Sequence, residues 1–135
     1  MIVSREKAEL SSPTAAAGLL KKLLGKEDCL SRDKEHFWVI AVNTRNRVRF
    51  VELVSLGTMN VSVVHPREIF RRAIIRGATS IILGHNHPSG NTEPSQEDLQ
   101  ITKKIVEAGK IIGIEVLDHV IIGKSDYSFK EKGLI

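Results

Sequence analysis

Four short, almost continuous apolar runs constrain the fold of this 135-residue chain more than any other feature. They cover residues 37–42, 48–56, 80–84 and 112–122. Apolar runs of this length predict buried β-strands rather than helices. The turn-rich segment NTRN separates the first two runs, so these two strands are expected to form a hairpin.

Helical patterns lie before, between and after these runs. They cover residues 14–24, 66–76 and 95–108. Ser12 followed by Pro13 is typical of a helix start, and we expect Gly25 and Gly109 to end the first and third helices. Residues 26–34 are interpreted as a polar connection and residues 61–64 as a short extended segment.

The order of these elements predicts a mixed β-sheet of the α/β (α+β) class, flanked by helices. The length suits one domain, and no repeat or linker divides the chain. The single cysteine, Cys29, excludes an internal disulfide framework and a cysteine-rich zinc module. No apolar run reaches the ~18–20 residues of a membrane span, and the N-terminus lacks a secretory signal pattern. We therefore expect a cytoplasmic protein with no membrane partner.

The charge balance is mildly basic, with 20 Lys and Arg residues against 16 Asp and Glu residues. Four arginines at helical spacing can form one stripe, at Arg67, Arg71, Arg72 and Arg76. A solvated helix face explains such a stripe, and a phosphate-binding strip is the alternative. No aromatic residues interleave with the arginines, so stacking on single-stranded nucleic acid is not supported.

The segment GHNHPSGNTEPSQED, residues 84–98, carries the residues most suited to chemistry. His85 and His87 are one residue apart at a strand end, so both imidazoles project to the same side. A loop rich in Pro and Gly then allows the chain to turn back and bring Asp98 from the next helix. Two imidazoles and one carboxylate suit a zinc-like ion and leave one coordination position open, as in catalytic sites.

Structural roles explain the same residues separately. The two histidines can be ordinary polar residues with hydrogen-bond partners. Ser95 and Asp98 also fit a capping box at the start of a helix. Asp118 and His119 lie in the last apolar run, where either a hydrogen-bonded core role or a contact that supports the metal ligands is possible. The residues alone leave these alternatives open.

The spacing H-x-H-x7-S-x-x-D at His85, His87, Ser95 and Asp98 resembles the metal signature of the JAMM (JAB/MPN) metalloproteases. Further segments are similar to the RadC family of bacterial JAMM proteins: GTMN (57–60), HPRE (65–68), GHNHPSG (84–90), PSQED (94–98) and LDHVIIG (117–123). The resemblance implies an MPN/JAB-like fold with the site at a strand end, beside a helix N-terminus.

The resemblance covers residues 33–135 and predicts a JAMM/MPN-like RadC catalytic domain there. Residues 1–32 are then an N-terminal helix and its connection. Larger RadC-type proteins carry an N-terminal helical segment with a DNA-binding-like motif. The chain has too few residues before Lys34 to hold one, so we expect the catalytic domain alone or a short family member.

The resemblance implies a zinc-dependent hydrolase of peptide or isopeptide bonds, a metallopeptidase acting on a protein or peptide. His85, His87 and Asp98 would bind Zn²⁺ with water as the fourth ligand. Ser95 would help to hold the tetrahedral oxyanion. The family also uses an upstream glutamate as general base; the order of the elements favours Glu35, and Glu52 is the alternative.

Two other functions are alternatives to hydrolysis. One is a DNA repair or replication accessory without peptidase activity, supported only by the net charge of +4 and the arginine stripe. The other is a scaffold without a metal, against which the complete ligand set argues. The sequence predicts neither the substrate nor the oligomeric state.

Overall fold

The computed structural model describes residues 1–5, 7–57 and 64–135. Its centre is a six-stranded sheet in the order β1-β3-β2-β4-β5-β6. The strands are β1 Ile2–Ser4, β2 His36–Val42, β3 Val48–Leu56, β4 Ser80–Asn86, β5 Glu115–Ile122 and β6 Tyr127–Ser128. The β4–β5 pair is parallel and the other neighbouring pairs are antiparallel. The predicted mixed sheet, including the β2–β3 hairpin, is confirmed.

The described residues form four helices, and both faces of the sheet are covered. The helices are α1 Pro13–Gly25, α2 Cys29–Arg32, α3 Pro66–Ile75 and α4 Gln96–Ile112. On one face, Leu20 of α1 packs with Ile40 and Ile82 of the sheet. On the other face, side chains of α3 and α4 pack with Phe37 and Leu83. The alternation of strand side chains thus divides the interior into two apolar cores.

Helix α1 lies directly against the strand that ends in the histidine pair. The Ser12 hydroxyl accepts a hydrogen bond from Ala15 N at 3.2 Å, which caps the helix as expected. A Cβ atom at Gly84 would collide with the side chain of Leu20. Glycine at this position therefore lets α1 approach β4 one residue before His85.

The N-terminal part contains two elements that the sequence did not indicate. β1 pairs with β3 at the sheet edge through backbone bonds, including Leu53 N to Met1 O at 2.8 Å. The connection 26–34 contains the short helix α2, where the Asp28 carboxylate accepts from Ser31 N at 2.7 Å. β1 is held by backbone hydrogen bonds to a strand about 50 residues away and α2 by a local side-chain cap, and neither depends on an apolar pattern. Residues 61–63 of the expected extended segment lie outside the described residues.

The end of one helix agrees with expectation and the end of another differs. Helix α1 ends at Gly25 as expected, with Lys26 as its C-cap. Helix α4 continues past Gly109 to Gly113, whose φ of 86° suits glycine. At Gly109 a Cβ atom would lie 2.5 Å from the carbonyl oxygen of Ile114, so glycine allows a close packing contact there. β5 consequently begins at residue 115 instead of 112.

Within the described residues, no helix combines the length and the apolar character that a membrane crossing requires.

Candidate metal site

His85 lies near the end of β4 and His87 directly follows the strand, and the neighbouring strands hold this segment from both sides. His85 is fully buried and pairs in register with Phe37 of β2 and Ile121 of β5. His87 follows the strand, and its backbone N donates to the carbonyl of Ile122 at 3.0 Å. The Nε2 atoms of His85 and His87 are 2.8 Å apart. The sheet therefore presents both imidazoles to one point, as the alternation of strand side chains predicts.

Asp98 reaches the same point from the first turn of α4. Its carboxylate lies 3.4 Å from His85 Nε2 and 3.2 Å from His87 Nε2. The ligand atoms of the three residues all lie within 4.8 Å of one another. Asp98 also completes a capping box, because Ser95 N donates to its carboxylate at 2.8 Å and Asp98 N donates to Ser95 Oγ at 3.0 Å. The capping role and the metal-ligand geometry thus coexist in one side chain.

Burial and neighbouring charges shift the pKa values of His85, His87 and Asp98. Burial lowers the pKa of His85, and the contact with Asp98 raises the pKa of His87. Burial alone would raise the pKa of Asp98, but the contacts with the two histidines hold it well below its ordinary value. Asp98 is therefore a carboxylate at neutral pH, as a metal ligand must be.

The outer nitrogens of both rings have partners of their own. His87 Nδ1 lies 2.7 Å from the carbonyl oxygen of Asn91, which can only accept, so this nitrogen carries the proton. His85 Nδ1 lies 2.7 Å from Nε2 of His119. Metal-binding histidines typically donate this outer N–H to a carboxylate, a carbonyl or water, and the Asn91 carbonyl is such a partner for His87. His119 combines both expected roles, because it is buried and hydrogen-bonded to Thr102 in the core and also contacts the candidate ligand His85.

The two candidate glutamates have different surroundings. Glu35 lines a cavity of about 420 Å³ together with His87, Ser95 and Asp98. Glu52 instead accepts a hydrogen bond from Arg72 Nε at 2.7 Å and also lies 3.6 Å from the N-terminal ammonium. A general base must reach the reacting atoms, and of the two only Glu35 lines the cavity that His87 and Asp98 share.

Asn86, the residue between the two histidines, holds the backbone on both sides of Glu35. Its Oδ1 accepts from His36 N at 2.6 Å, and its Nδ2 donates to the carbonyl of Lys34 at 3.0 Å. The carbonyl of Glu35 accepts from Gly57 N at 2.8 Å. Nothing in the sequence identifies these partners of Asn86, which lie about 50 residues away.

The arginine stripe carries less unbalanced charge than its sequence suggests. Arg72 is paired with Glu52, and Arg67 and Arg71 lie 3.6 and 3.8 Å from the carboxylate of Glu68. Exposed pairs of this kind contribute little to stability, but they do offset positive charge on the helix surface.

A family comparison agrees with the geometry of the site. The model of the RadC-like JAB domain matches residues 10–134. The chain belongs to the RadC family. The resemblance inferred from the spacing of His85, His87, Ser95 and Asp98 is thereby confirmed at the level of the family and its JAB fold.

Relatives of this RadC domain are named UPF0758 protein. The relative in Desulforamulus reducens is 56% identical over 110 residues, which are 81% of this chain and 48% of the relative. The relative in Clostridium acetobutylicum is 50% identical over 133 residues, 98% of this chain and 56% of the relative. The chain thus spans about half the length of the curated relatives it matches.

Proposed function

We propose that this RadC domain is a zinc-dependent hydrolase of peptide or isopeptide bonds, with a protein or peptide as substrate. The observation that carries the proposal is the convergence of His85, His87 and Asp98, of which His87 and Asp98 line an open cavity. Two nitrogens and one carboxylate are a donor set of catalytic zinc sites, which keep a coordination position for water or substrate.

The donor atoms themselves fit a divalent ion. A neutral His87 ring that keeps its proton on Nδ1, facing the Asn91 carbonyl, has its Nε2 lone pair free for a metal ion, and Asp98 is ionised. Lone pairs that face one another at such short distances repel unless a proton or a metal cation lies among them. When bound, Zn²⁺ supplies a Lewis acid for the scissile carbonyl and lowers the pKa of water towards ~7.

Glu35 is proposed as the general base. Its carboxylate takes a proton from water and delivers it to the leaving amine. This role needs a carboxylate in the cavity at a defined position. Glu35 lines the cavity, and the hydrogen bonds of Asn86 to His36 N and the Lys34 carbonyl support the backbone on each side of it.

Ser95 is proposed to stabilise the oxyanion. In the capping box its Oγ accepts from Asp98 N, which uses a lone pair of the hydroxyl and not its proton. The O–H group can therefore donate to a substrate oxygen in the cavity that Ser95 lines. The cap orients the hydroxyl and the proposed catalytic role uses its proton, so the two are compatible.

A substrate screen with matched variants tests this proposal. Zinc-loaded wild type is compared with His87→Ala and Glu35→Gln on a library of peptides and isopeptide-linked conjugates, read by mass spectrometry. We expect cleavage by the wild type only, with stoichiometric zinc in Glu35→Gln and none in His87→Ala. Glu97→Gln is the control, because Glu97 is an exposed carboxylate in the same cavity.

Two results would contradict parts of the proposal. Full activity of zinc-loaded Glu35→Gln would remove Glu35 from the mechanism. Absence of any product that depends on His87 would remove the hydrolase function, and retention on DNA that falls steeply with salt would then favour the accessory role.

A further inference from the structure

A chain of three side-chain contacts runs behind His85 into helix α4. His85 Nδ1 lies 2.7 Å from His119 Nε2, and His119 Nδ1 lies 2.6 Å from the hydroxyl of Thr102. The Thr102 hydroxyl donates to the backbone carbonyl of Asp98 at 2.7 Å. His85, His119 and Thr102 are each at most 2% exposed, so water does not complete their hydrogen bonds. The chain begins at one candidate metal ligand and ends at another.

The Asp98 carbonyl, at the end of this chain of contacts, determines the direction of each hydrogen bond. The Asp98 carbonyl can only accept, so the single hydroxyl proton of Thr102 points to it. Thr102 Oγ1 must then accept from His119, which places a proton on His119 Nδ1. A neutral His119 has no second ring proton, so its Nε2 accepts from His85 Nδ1. The remaining nitrogen of His85, Nε2, is left with its lone pair.

The hydrogen-bond directions from the Asp98 carbonyl to His85 require a neutral His119 ring, and the surroundings of His119 favour that form. Its ring stacks on Phe129 at a centroid distance of 4.5 Å and packs edge-on against Phe37. Both ring nitrogens are used by His85 and Thr102, and neither contact is a carboxylate. Desolvation strongly destabilises the positively charged form of a fully buried imidazole between aromatic rings.

We propose that Thr102 and His119 are positioning residues that hold His85 in its Nδ1–H tautomer and thereby direct the Nε2 lone pair at the metal site. The inference rests on the metal site of the proposed function. In the other tautomer a proton on His85 Nε2 would point at His87 Nε2 and Asp98 and would have to be displaced before an ion could bind. The chain of contacts also ties the orientation of His85 to the backbone of Asp98.

The matched pair Thr102→Val and Thr102→Ser tests the role of the hydroxyl. Valine keeps the shape of threonine but removes the group that accepts from His119, whereas serine keeps that group. Nitrogen-15 NMR of the metal-free chain reports which nitrogen of His85 is protonated. Competition with a chromophoric chelator reports the Zn²⁺ affinity, and thermal unfolding checks that the variants fold.

The wild type is expected to show the Nδ1–H tautomer of His85 without metal. Thr102→Val is expected to populate the Nε2–H tautomer and to bind Zn²⁺ about 10-fold more weakly, at the lower end of what such supporting contacts contribute. Thr102→Ser should match the wild type in both measurements.

A wild type with mainly Nε2–H at His85 would overturn the inference, as would a Thr102→Val variant with unchanged tautomer and affinity. The tautomer measurement needs neither metal nor substrate. It therefore judges this inference even if the wild type binds no zinc and the hydrolase proposal fails.

Discussion

Asp118 and His119 are neighbours on β5 and both are buried, yet they belong to two polar clusters of opposite character. Successive strand residues face opposite sides of a sheet, so the clusters lie on different faces. Asp118 accepts from Ser128 Oγ at 2.6 Å, from Lys130 N at 3.0 Å and from His119 N at 2.7 Å. Each of its partners is a donor, so this cluster is complete within the protein.

The cluster that includes His119 is not complete. On the Nδ1 side of His85, each hydrogen bond has a donor and an acceptor, through His119 and Thr102 to the Asp98 carbonyl. In front of His85, the Nε2 atoms of two histidines converge with the Asp98 carboxylate, and when both rings are neutral and protonated at Nδ1 all three groups are acceptors. A structural cluster pairs donors with acceptors, whereas an excess of convergent acceptors indicates a place for a cation.

The largest effect is expected from Asp118→Ala. The substitution removes one buried carboxylate and leaves three donors without their acceptor, so we expect a loss of about 3–5 kcal/mol in the free energy of unfolding. Urea denaturation of the metal-free chain measures it. Asp126→Ala is the control, because its partner Lys21 is half exposed and such pairs contribute at most about 1 kcal/mol. Equal losses in the two variants would refute the structural role of the Asp118 cluster.

The candidate ligands could be predicted from the sequence because they are local and match the JAMM signature. His85 and His87 lie at one strand end, and Asp98 follows after a short loop and a helix cap, so their spacing brings them near one another, and the resemblance singles them out as ligands. The role of His119 could not be predicted in the same way. It lies 34 residues from His85, and their contact depends on the parallel pairing of β4 with β5.

The same limit applies to the fold. The apolar runs predicted β2 to β5, because burial on both faces leaves a pattern in the sequence. β1 left no such pattern, since an edge strand is held by backbone bonds that any residue can make. The strand order, and with it the contact of Asn86 with residues 34 and 36, follows from tertiary packing.

A smaller change in stability is expected when Zn²⁺ binds to the cluster of His85, His87 and Asp98. Zn²⁺ at 100 times its Kd should stabilise the wild type by about 2.7 kcal/mol, because only the folded state assembles the ligands. Thermal unfolding with and without zinc measures the shift. Asp126→Ala should respond like the wild type, and His87→Ala should show no shift. An equal response of His87→Ala would mean that zinc binds elsewhere and that the acceptors do not form its site.

The smallest effect comes from removing one hydroxyl from the complete cluster. Ser128→Ala takes one donor from Asp118, which keeps the N–H groups of His119 and Lys130, so we expect a loss of about 1 kcal/mol in unfolding free energy. Its zinc affinity should equal that of the wild type, because the carboxylate of Asp118 does not contact the ligands. Thr102→Val removes a hydroxyl from the other cluster and should show the converse pattern, with the larger change in zinc affinity. If Ser128→Ala weakened zinc binding as much as Thr102→Val, the two clusters would be coupled through β5, and the division between a structural and a metal-binding cluster would fail.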